Sequence, residues 1–412
     1  MHPELRGKIK EIMDRVILHC DINSFYASVE LLEHPELRQL PVAVSGNPDN
    51  RHGIILAKNE PAKGFGIKTA ETVWQARKKC PKLILLPPHH DKYKRYHRKI
   101  NNIFYEYTDM VEPFSIDESW LDVTASRRLF GGGRQIADTI RARVKNELGV
   151  TLSAGVSYNK IFAKMGSEYK KPDATTVITR ENYREILWPL PVNELFFVGW
   201  ATANKLNGVG ICTIGDLAAA DTAMLQSLLG KQGPLLKSYA LGQDDSPVKL
   251  FDQKDKIKSV GNGFTFRRDL VNSDDILTAL TSLCDTVAGR LRKYQLKAGG
   301  VKVDIKDTNL RTISRQKQLA SPTSLTGELR RASMEIITSS WDIGRPIRLL
   351  TITGINLSDE NEAEQLSFFT SDKESRGKTE SVERLMDSIR SRFGKGSIRY
   401  GRTVNNDIGM DL

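Results

Sequence analysis

Val16–Leu32 reads VILHCDINSFYASVELL, and its first half decides the fold. Val16–Ile22 is a short apolar run ending in an acid, the pattern of a buried strand. Asn23 or Ser24 can cap the helix that follows, with Phe25, Val29 and Leu32 on its inner face. Thr108–Val123 (TDMVEPFSIDESWLDV) carries two more strands joined by a tight turn at Ser115–Glu118. Beyond a Gly131–Gly133 loop, Ile136, Ile140, Val144 and Leu148 recur at helical spacing, and Gly149 suits the C′ position. Thr151–Val156 (TLSAGV) returns as a strand, and another helix opens near Asn159–Lys160. Strand and helix units in this order predict an α/β (α+β) layer with helices packed on one sheet face.

The rest of the chain divides by pattern. Residues 171–241 hold short helical segments with Gly199, Gly208 and Gly210 between them. Gly242–Lys256 (GQDDSPVKLFDQKDK) is polar and charged and reads as a linker. Residues 257–357 follow a β-α-β-β-α-β pattern. Ser259–Phe266 is a strand, and Ile276, Leu280, Leu283, Val287 and Leu291 mark a helix. Val301, Val303 and Ile305 alternate with Lys302, Asp304 and Lys306 in a half-buried strand, with Thr312–Gln318 as its hairpin partner. A second helix runs from Leu325 to Ser340, and Arg348–Ile355 is the last strand. Ser358–Glu364 (SDENEAE) is an acidic connector.

Composition narrows the function. At 412 residues, 39% hydrophobic and 27% charged, the chain is long enough for several domains and too apolar for disorder. No apolar run approaches the ~20 residues of a membrane helix. The first twenty residues, MHPELRGKIKEIMDRVILHC, are charged throughout and lack the apolar core of a secretory signal. Cys20, Cys80, Cys212 and Cys284 form no CxxC pair and read as reduced thiols, so a cytoplasmic location without a membrane partner is expected. Lys and Arg number 61 against 50 acids, a net charge of +11 that points to a polyanionic partner. Residues 257–357 alone carry 16 basic and 9 acidic residues, so one segment holds most of the surplus.

Asp21 ends one strand, and Asp117 and Glu118 lie in a hairpin turn far along the chain. Acids at the ends of adjacent strands converge on one point. Three carboxylates, with a main-chain carbonyl such as that of Ile22, supply hard oxygen ligands for two Mg²⁺ ions. Two such ions about 4 Å apart stabilise the attacking and leaving oxygens of an in-line phosphoryl displacement. Taken singly, each acid is better read as capping or solvating a strand end.

Three stretches turn this pattern into a family resemblance. CDINSFYASVE (Cys20–Glu30), EPFSIDESWLDV (Glu112–Val123) and SAGVSYNKIFAKMGSEYKKP (Ser153–Pro172) resemble, in order and separation, signature segments of the Y-family translesion DNA polymerases, on the bacterial DNA polymerase IV branch. The resemblance implies a right-hand architecture: palm at 1–23 and 78–170, fingers at 24–77, helical thumb at 171–241, linker at 242–256, little finger at 257–357 and a tail at 358–412. It implies a monomer that adds deoxynucleotides to a primer 3′ end on template DNA, with low fidelity and no proofreading. On the matching positions Asp21 and Asp117 bind both metals, Ile22 lends its carbonyl, and Glu118 holds the catalytic metal.

The same resemblance assigns substrate contacts. Tyr26 falls at the steric gate, where a flat ring beneath the sugar excludes a 2′-OH; a core aromatic is the plainer alternative. Lys160 opens a helix, where its charge and the helix N-terminus suit a triphosphate. Lys164, one turn on, is expected to face a structural partner or solvent. In the fingers the family's Tyr-Glu-Ala-Arg is replaced within Asn59–Gly66 (NEPAKGFG). Lys63 keeps the Arg charge without its bidentate fork, Lys58 competes with it, and Glu60 takes no role. Asn23, where several relatives carry an acid, is not a proposed metal ligand.

For DNA, Phe196–Leu217 resembles a helix-hairpin-helix whose Val198–Gly199 turn offers backbone N–H groups to a phosphate. Thr265, Arg267, Lys302, Lys306 and Arg315 are expected on one basic outward sheet face. Gln365–Phe369 (QLSFF) resembles the peptide by which bacterial polymerases dock on the sliding clamp, through Gln365, Leu366, Phe368 and Phe369; packing onto the little finger is the alternative. A helix at Ser381–Phe393 follows, with Val382, Leu385, Met386 and Ile389 on one side. Two other readings stand beside the polymerase: a catalytically idle DNA- and clamp-binding scaffold, and a two-metal nuclease or nucleotide cyclase on a palm-like sheet.

Overall fold

The strand expected at Val16–Ile22 forms as β1 (Ile17–Ile22), buried along its whole length. The computed structural model describes residues 14–46, 53–253, 256–360, 362 and 373–410. They fall into two units, Met1–Lys254 and Asp255–Leu412. Among the described residues no helix is long and apolar enough to cross a membrane.

In the first unit β1 runs into α1 (Phe25–Glu30). Neither expected cap is used: Ser24 adopts a left-handed conformation (φ 49°) without a side-chain bond. Asn23 instead bonds Thr151 and Ser153 across the sheet. A small sheet follows, made of β2 (Val42–Ser45), β3 (Ile55–Lys58) and β4 (Ile84–Leu86) in the order β3-β2-β4. Between its last two strands lie α2 (Glu60–Gly64) and α3 (Val73–Lys79). This sheet runs through Leu86, past the fingers boundary expected at residue 77.

Next, α4 (His90–Tyr105) leads to β5 (Val111–Pro113) and β6 (Glu118–Asp122). After α5 (Arg127–Phe130), α6 (Gly133–Leu148) leads to β7 (Leu152–Ser157), and α7 (Lys160–Tyr169) to β8 (Thr175–Val177). The main sheet has the order β5-β6-β1-β7-β8. Asn159 caps α7 by accepting from the Phe162 N–H at 2.8 Å, and Gly149 closes α6 with φ +72°. Residues 175–177 were expected in the helical thumb but extend this sheet, because β8 pairs in parallel with β7.

Five short helices then share a core with Ile161, Phe162 and Met165 of α7: α8 (Tyr183–Leu187), α9 (Trp200–Asn207), α10 (Ile214–Ala219), α11 (Thr222–Leu229) and α12 (Gln232–Ala240). The expected linker is in part a strap on this unit. Val248 is buried beside Ile17, Trp120 and Ala163, and Arg15 donates to the carbonyls of Asp244 and Ser246.

The second unit has the expected β-α-β-β-α-β order: β9 (Val260–Leu270), α13 (Ser273–Lys293), β10 (Leu296–Lys306), β11 (Thr312–Thr323), α14 (Thr326–Ser340) and β12 (Ile347–Asp359). The sheet order is β11-β10-β12-β9, with both helices contributing to one core. β12 outruns its expected end, since Ser358 and Asp359 of the supposed connector pair with Lys297 and Leu296.

The supposed tail is corrected further. α15 (Lys373–Phe393) docks through its charged side. Buried Arg292 of α13 bonds Glu383 and, at 2.6 Å, Asp387. Glu383 also accepts from the backbone N–H and hydroxyl of Thr326 and so caps α14. Of the residues expected together on one side of this helix, Val382 and Leu385 are 57% and 62% exposed. Ile408 and Met410 complete the core, and the Ile408 carbonyl accepts from Arg267 N–H at 3.0 Å. Gln365–Phe369 lies outside the described residues.

Removing one partner of a buried ion pair leaves the other uncompensated. Arg292→Met is therefore expected to cost about 3–5 kcal/mol, against less than about 1 kcal/mol for Arg384→Ala at its surface pair with Glu380. Urea unfolding of the full chain, read on the transition of the second unit, checks this; equal effects would contradict the buried anchor.

Candidate active site

The register of β1 builds the site. Asp21 lies opposite Glu118 on β6 and Ser153 on β7, and His19 lies opposite Trp120. Side chains alternate along a strand, so His19, Asp21, Glu118 and Trp120 share one face. α7 covers that face: Ser167 Oγ meets His19 Nδ1 at 2.8 Å.

Asp21, Glu118 and Glu168 each offer an oxygen within 4.8 Å of the others. Lys171 Nζ bridges Asp21 (2.7 Å) and Glu168 (2.9 Å). Lys164 Nζ sits 2.7 Å from Glu118 and 3.8 Å from Glu168. His19 Nε2 is 3.4 Å from Glu118, and burial holds this imidazole down at about 4, hence neutral at pH 7. Two lysines thus face three carboxylates. Burial pushes Asp21 up to about 8, with Lys171 offsetting only part and Glu168 and Glu118 adding repulsion. Burial opposes the charged form of Glu118 too, but His19 and Lys164 beside it prevail and hold it at about 2. Three hard oxygen donors within reach of one another, one of them held largely protonated until a cation displaces its proton, fit a divalent cation.

Asp117 behaves differently from the other two expected acids. Its backbone carbonyl accepts from Ile22 N–H at 3.0 Å, but its carboxylate accepts from Ser115 Oγ at 2.5 Å, and the cluster's third member is Glu168. Glu168 was missed, although it follows Lys164 by one turn of α7 and precedes Lys171, just past the end of that helix, by three residues. Lys164, expected to face a structural partner or solvent, lies on Glu118. Lys160, expected to await a triphosphate, is engaged elsewhere. Its Nζ pairs with Glu112 at 2.7 Å and lies 4.4 Å from the centre of the Trp120 ring, while Glu112 also accepts from Lys249 N–H of the strap. The reason is local: Trp120 Nε1–H donates to the Lys160 carbonyl, fixing the start of α7 over β6.

Tyr26 of α1 is half-buried and stacks on Tyr93 of α4, ring centres 3.9 Å apart and planes at 11°. Tyr93 is itself fully buried, its hydroxyl donating to Glu30. Burial, then the charge of Asp117, raises the Tyr26 phenol above its ordinary value. Phe25, as expected, lies in the core. On α2, Lys63 is exposed beside Glu60 (3.6 Å), and Lys58 donates to Thr69 at 3.2 Å.

Val198 is buried in the helical core, and Gly199 is the N-cap residue of α9. In the second unit Thr265 opposes Leu349, which also opposes Lys306, and Lys302 opposes Thr353. Thr265, Arg267, Lys302 and Lys306 therefore share the face away from the buried Phe266, Val303 and Leu350. Arg315 does not: its register partner is Val303, which puts it on the helix-bearing face.

A family model described as the impB/mucB/samB family matches residues 20–168, and one for that family's C-terminal domain matches 257–368. The chain is 48% identical to DNA polymerase IV of Acetivibrio thermocellus over 94% of this chain and 97% of that protein. It is 39% identical to DNA polymerase IV 1 of Bacillus subtilis over 95% of this chain and 94% of that protein. A solved Y-family DNA polymerase chimera is similar in fold, with a TM-score of 0.74 at 23% identity, over 83% of this chain and 98% of that one. With acids on paired strand ends and relatives of this extent, the chain belongs to the Y family of DNA polymerases, beside the DNA polymerases IV, and is a DNA-directed DNA polymerase of the translesion type.

Proposed function

We propose that Asp21, Asp117 and Glu118, with the Ile22 carbonyl, hold two Mg²⁺ ions and that this site extends a primer 3′ end with deoxynucleotides on template DNA. The observation that carries the reading is the cluster of carboxylate oxygens of Asp21 on β1, Glu118 on β6 and Glu168 on α7, all within 4.8 Å of one another, with Asp117 next to Glu118 in the chain. When bound, such ions neutralise phosphoryl charge and make the primer hydroxyl a better nucleophile. The chain's own residues position the reactants. Asp21 is fixed by its register on both sides. Asp117 reaches the cluster by a side-chain rotation that gives up the Ser115 bond. Lys160, paired with Glu112, and Lys171, bridging Asp21 and Glu168, are the cations of this proposal for the triphosphate. Lys63 is a further cation on α2. Tyr26, backed by Tyr93, is the wall beneath the sugar.

In this reading the main sheet is the palm, the small sheet the fingers, α8–α12 the thumb, and the second unit the little finger. Extension of a labelled primer–template hairpin tests it: Mg²⁺-dependent elongation is expected, and cleavage or mere retention of the hairpin would overturn it.

The outward face carrying Lys302 and Lys306 is the backbone-directed grip. Each phosphate contact contributes about 0.9 to the slope of log K against log salt. Lys302→Ala and Lys306→Ala are expected to lower that slope by about 1 each, whereas Arg315→Ala leaves it unchanged. Titration by fluorescence anisotropy at several salt concentrations checks this; a shallower slope for the Arg315 variant would reverse the assignment of faces.

Gln365–Phe369 is the sliding-clamp peptide of this proposal. Replacing Leu366, Phe368 and Phe369 by Ala is expected to erase stimulation by a loaded clamp and to spare basal extension. Loss of both together would mean that the segment belongs to the fold.

A further inference from the structure

Phe197, in the turn before α9, has a backbone φ of +73°. That left-handed region disfavours any residue with a Cβ, and a phenylalanine there is strained. Nearby Gly199 has φ −80°, which any residue can adopt, so glycine does not occupy the position that needs it. The reversal sends two adjacent rings to different surroundings. Phe196 is partly buried, 5.7 Å from Phe114 and 6.2 Å from Trp120, with Lys164 Nζ at 5.5 Å. Phe197 is 57% exposed, and Trp200, the first residue of α9, is 80% exposed. A strained turn therefore holds two large aromatic rings in water, which folding alone does not require.

We propose that Phe197 and Trp200 form an aromatic rail for the sugar faces of the primer–template duplex arm as it leaves the carboxylate site; this rests on the polymerase reading above. Position identifies the occupant. Glu118 touches Lys164, Lys164 lies over Phe196, and the Phe196 and Phe197 ring centres are 4.0 Å apart. A strand whose 3′ end lies at Glu118 passes this turn within a few contacts. The Val198 N–H is spent on the Leu195 carbonyl at 2.9 Å, which leaves the Gly199 N–H for a phosphate, but the rings offer something phosphates do not need: apolar faces for deoxyribose C–H groups and base edges. Such a contact releases no counterion, so its contribution does not change with salt.

The test is anisotropy titration of a fluorescein-labelled primer–template hairpin with the full chain, from low to high salt. Phe197→Gly and Trp200→Ala are each expected to weaken binding about tenfold at every salt concentration and to leave the slope of log K against log salt unchanged. Phe197→Gly is also expected to melt no lower than the parent chain, because glycine relieves the left-handed turn. Unchanged affinity, or a slope that falls together with the affinity, would overturn the rail. If Phe197→Gly lowers the melting temperature, Trp200→Ala decides alone, since so exposed a ring can be removed without opening the core. Failure of the polymerase reading looks different: the parent chain itself would neither bind nor extend the hairpin.

Discussion

Asp21→Asn and Glu118→Ala chains are expected to bind primer–template with nearly parental affinity and to extend it about 1000-fold more slowly or worse. In the proposed reading the acids act where charge develops in the transition state, so their removal leaves the ground-state grip alone. Stability should move the other way. Asp21 is buried beside two other carboxylates and burial pushes it up to about 8, so folding disfavours its charge and leaves it largely protonated at pH 7. Asn keeps its shape without that charge, and the Asp21→Asn chain should melt no lower than the parent. Single-turnover extension, anisotropy and a melting curve on the same preparation check all three. A variant that extends at the parental rate would remove the carboxylate assignment. One that loses DNA binding and stability with activity would show that Asp21 merely holds the sheet.

Tyr26→Ala is expected to raise ribonucleotide use relative to deoxynucleotide use by about 100-fold, with deoxynucleotide incorporation falling less than about tenfold. The stack on Tyr93 fixes the Tyr26 ring, so that exclusion by the wall proposed beneath the sugar would be geometric and survive small motions. Tyr26→Phe keeps the ring and the stack and should discriminate almost as well as the parent. Measuring kcat/KM for both nucleotides with one enzyme makes the ratio insensitive to the fraction folded. An unchanged ratio in Tyr26→Ala would reduce Tyr26 to a packing residue.

Much of the fold was legible because the strands announce themselves. VILHCDI ends in its acid, and Phe264 and Phe266 alternate with Thr265 and Arg267 as the sheet requires. What local pattern could not supply was the choice of face. In TISRQKQ both sides of an edge strand are polar, so alternation leaves the register open, and only the pairing of Arg315 with Val303 fixes it. Likewise Lys164, Glu168 and Lys171 were visible as a spacing. Their meaning depended on which side of β1 received α7, and Ser167 bonding His19 records that choice. α15 was legible as a helix, but not the side by which it docks: burial of Arg292 draws Glu383 and Asp387 inward, and Val382 and Leu385 stay exposed. An attraction across ninety residues of sequence has no signature in either segment alone.

The bond from Arg267 N–H to the Ile408 carbonyl closes a core begun at β9, and Ile408 and Met410 fill it. During synthesis, therefore, β9 to β12 can emerge and pair while one end of their core still lacks its last side chains. The first unit ends at Lys254 and has no such wait. Translation arrested between Asp359 and Ile408 would thus yield a chain with a finished first unit and an unsealed second one, with Phe266 and Leu270 without their late neighbours. Such a chain is a natural client for chaperones and proteases, so a chain that can grip DNA and yet is left half-assembled need not accumulate.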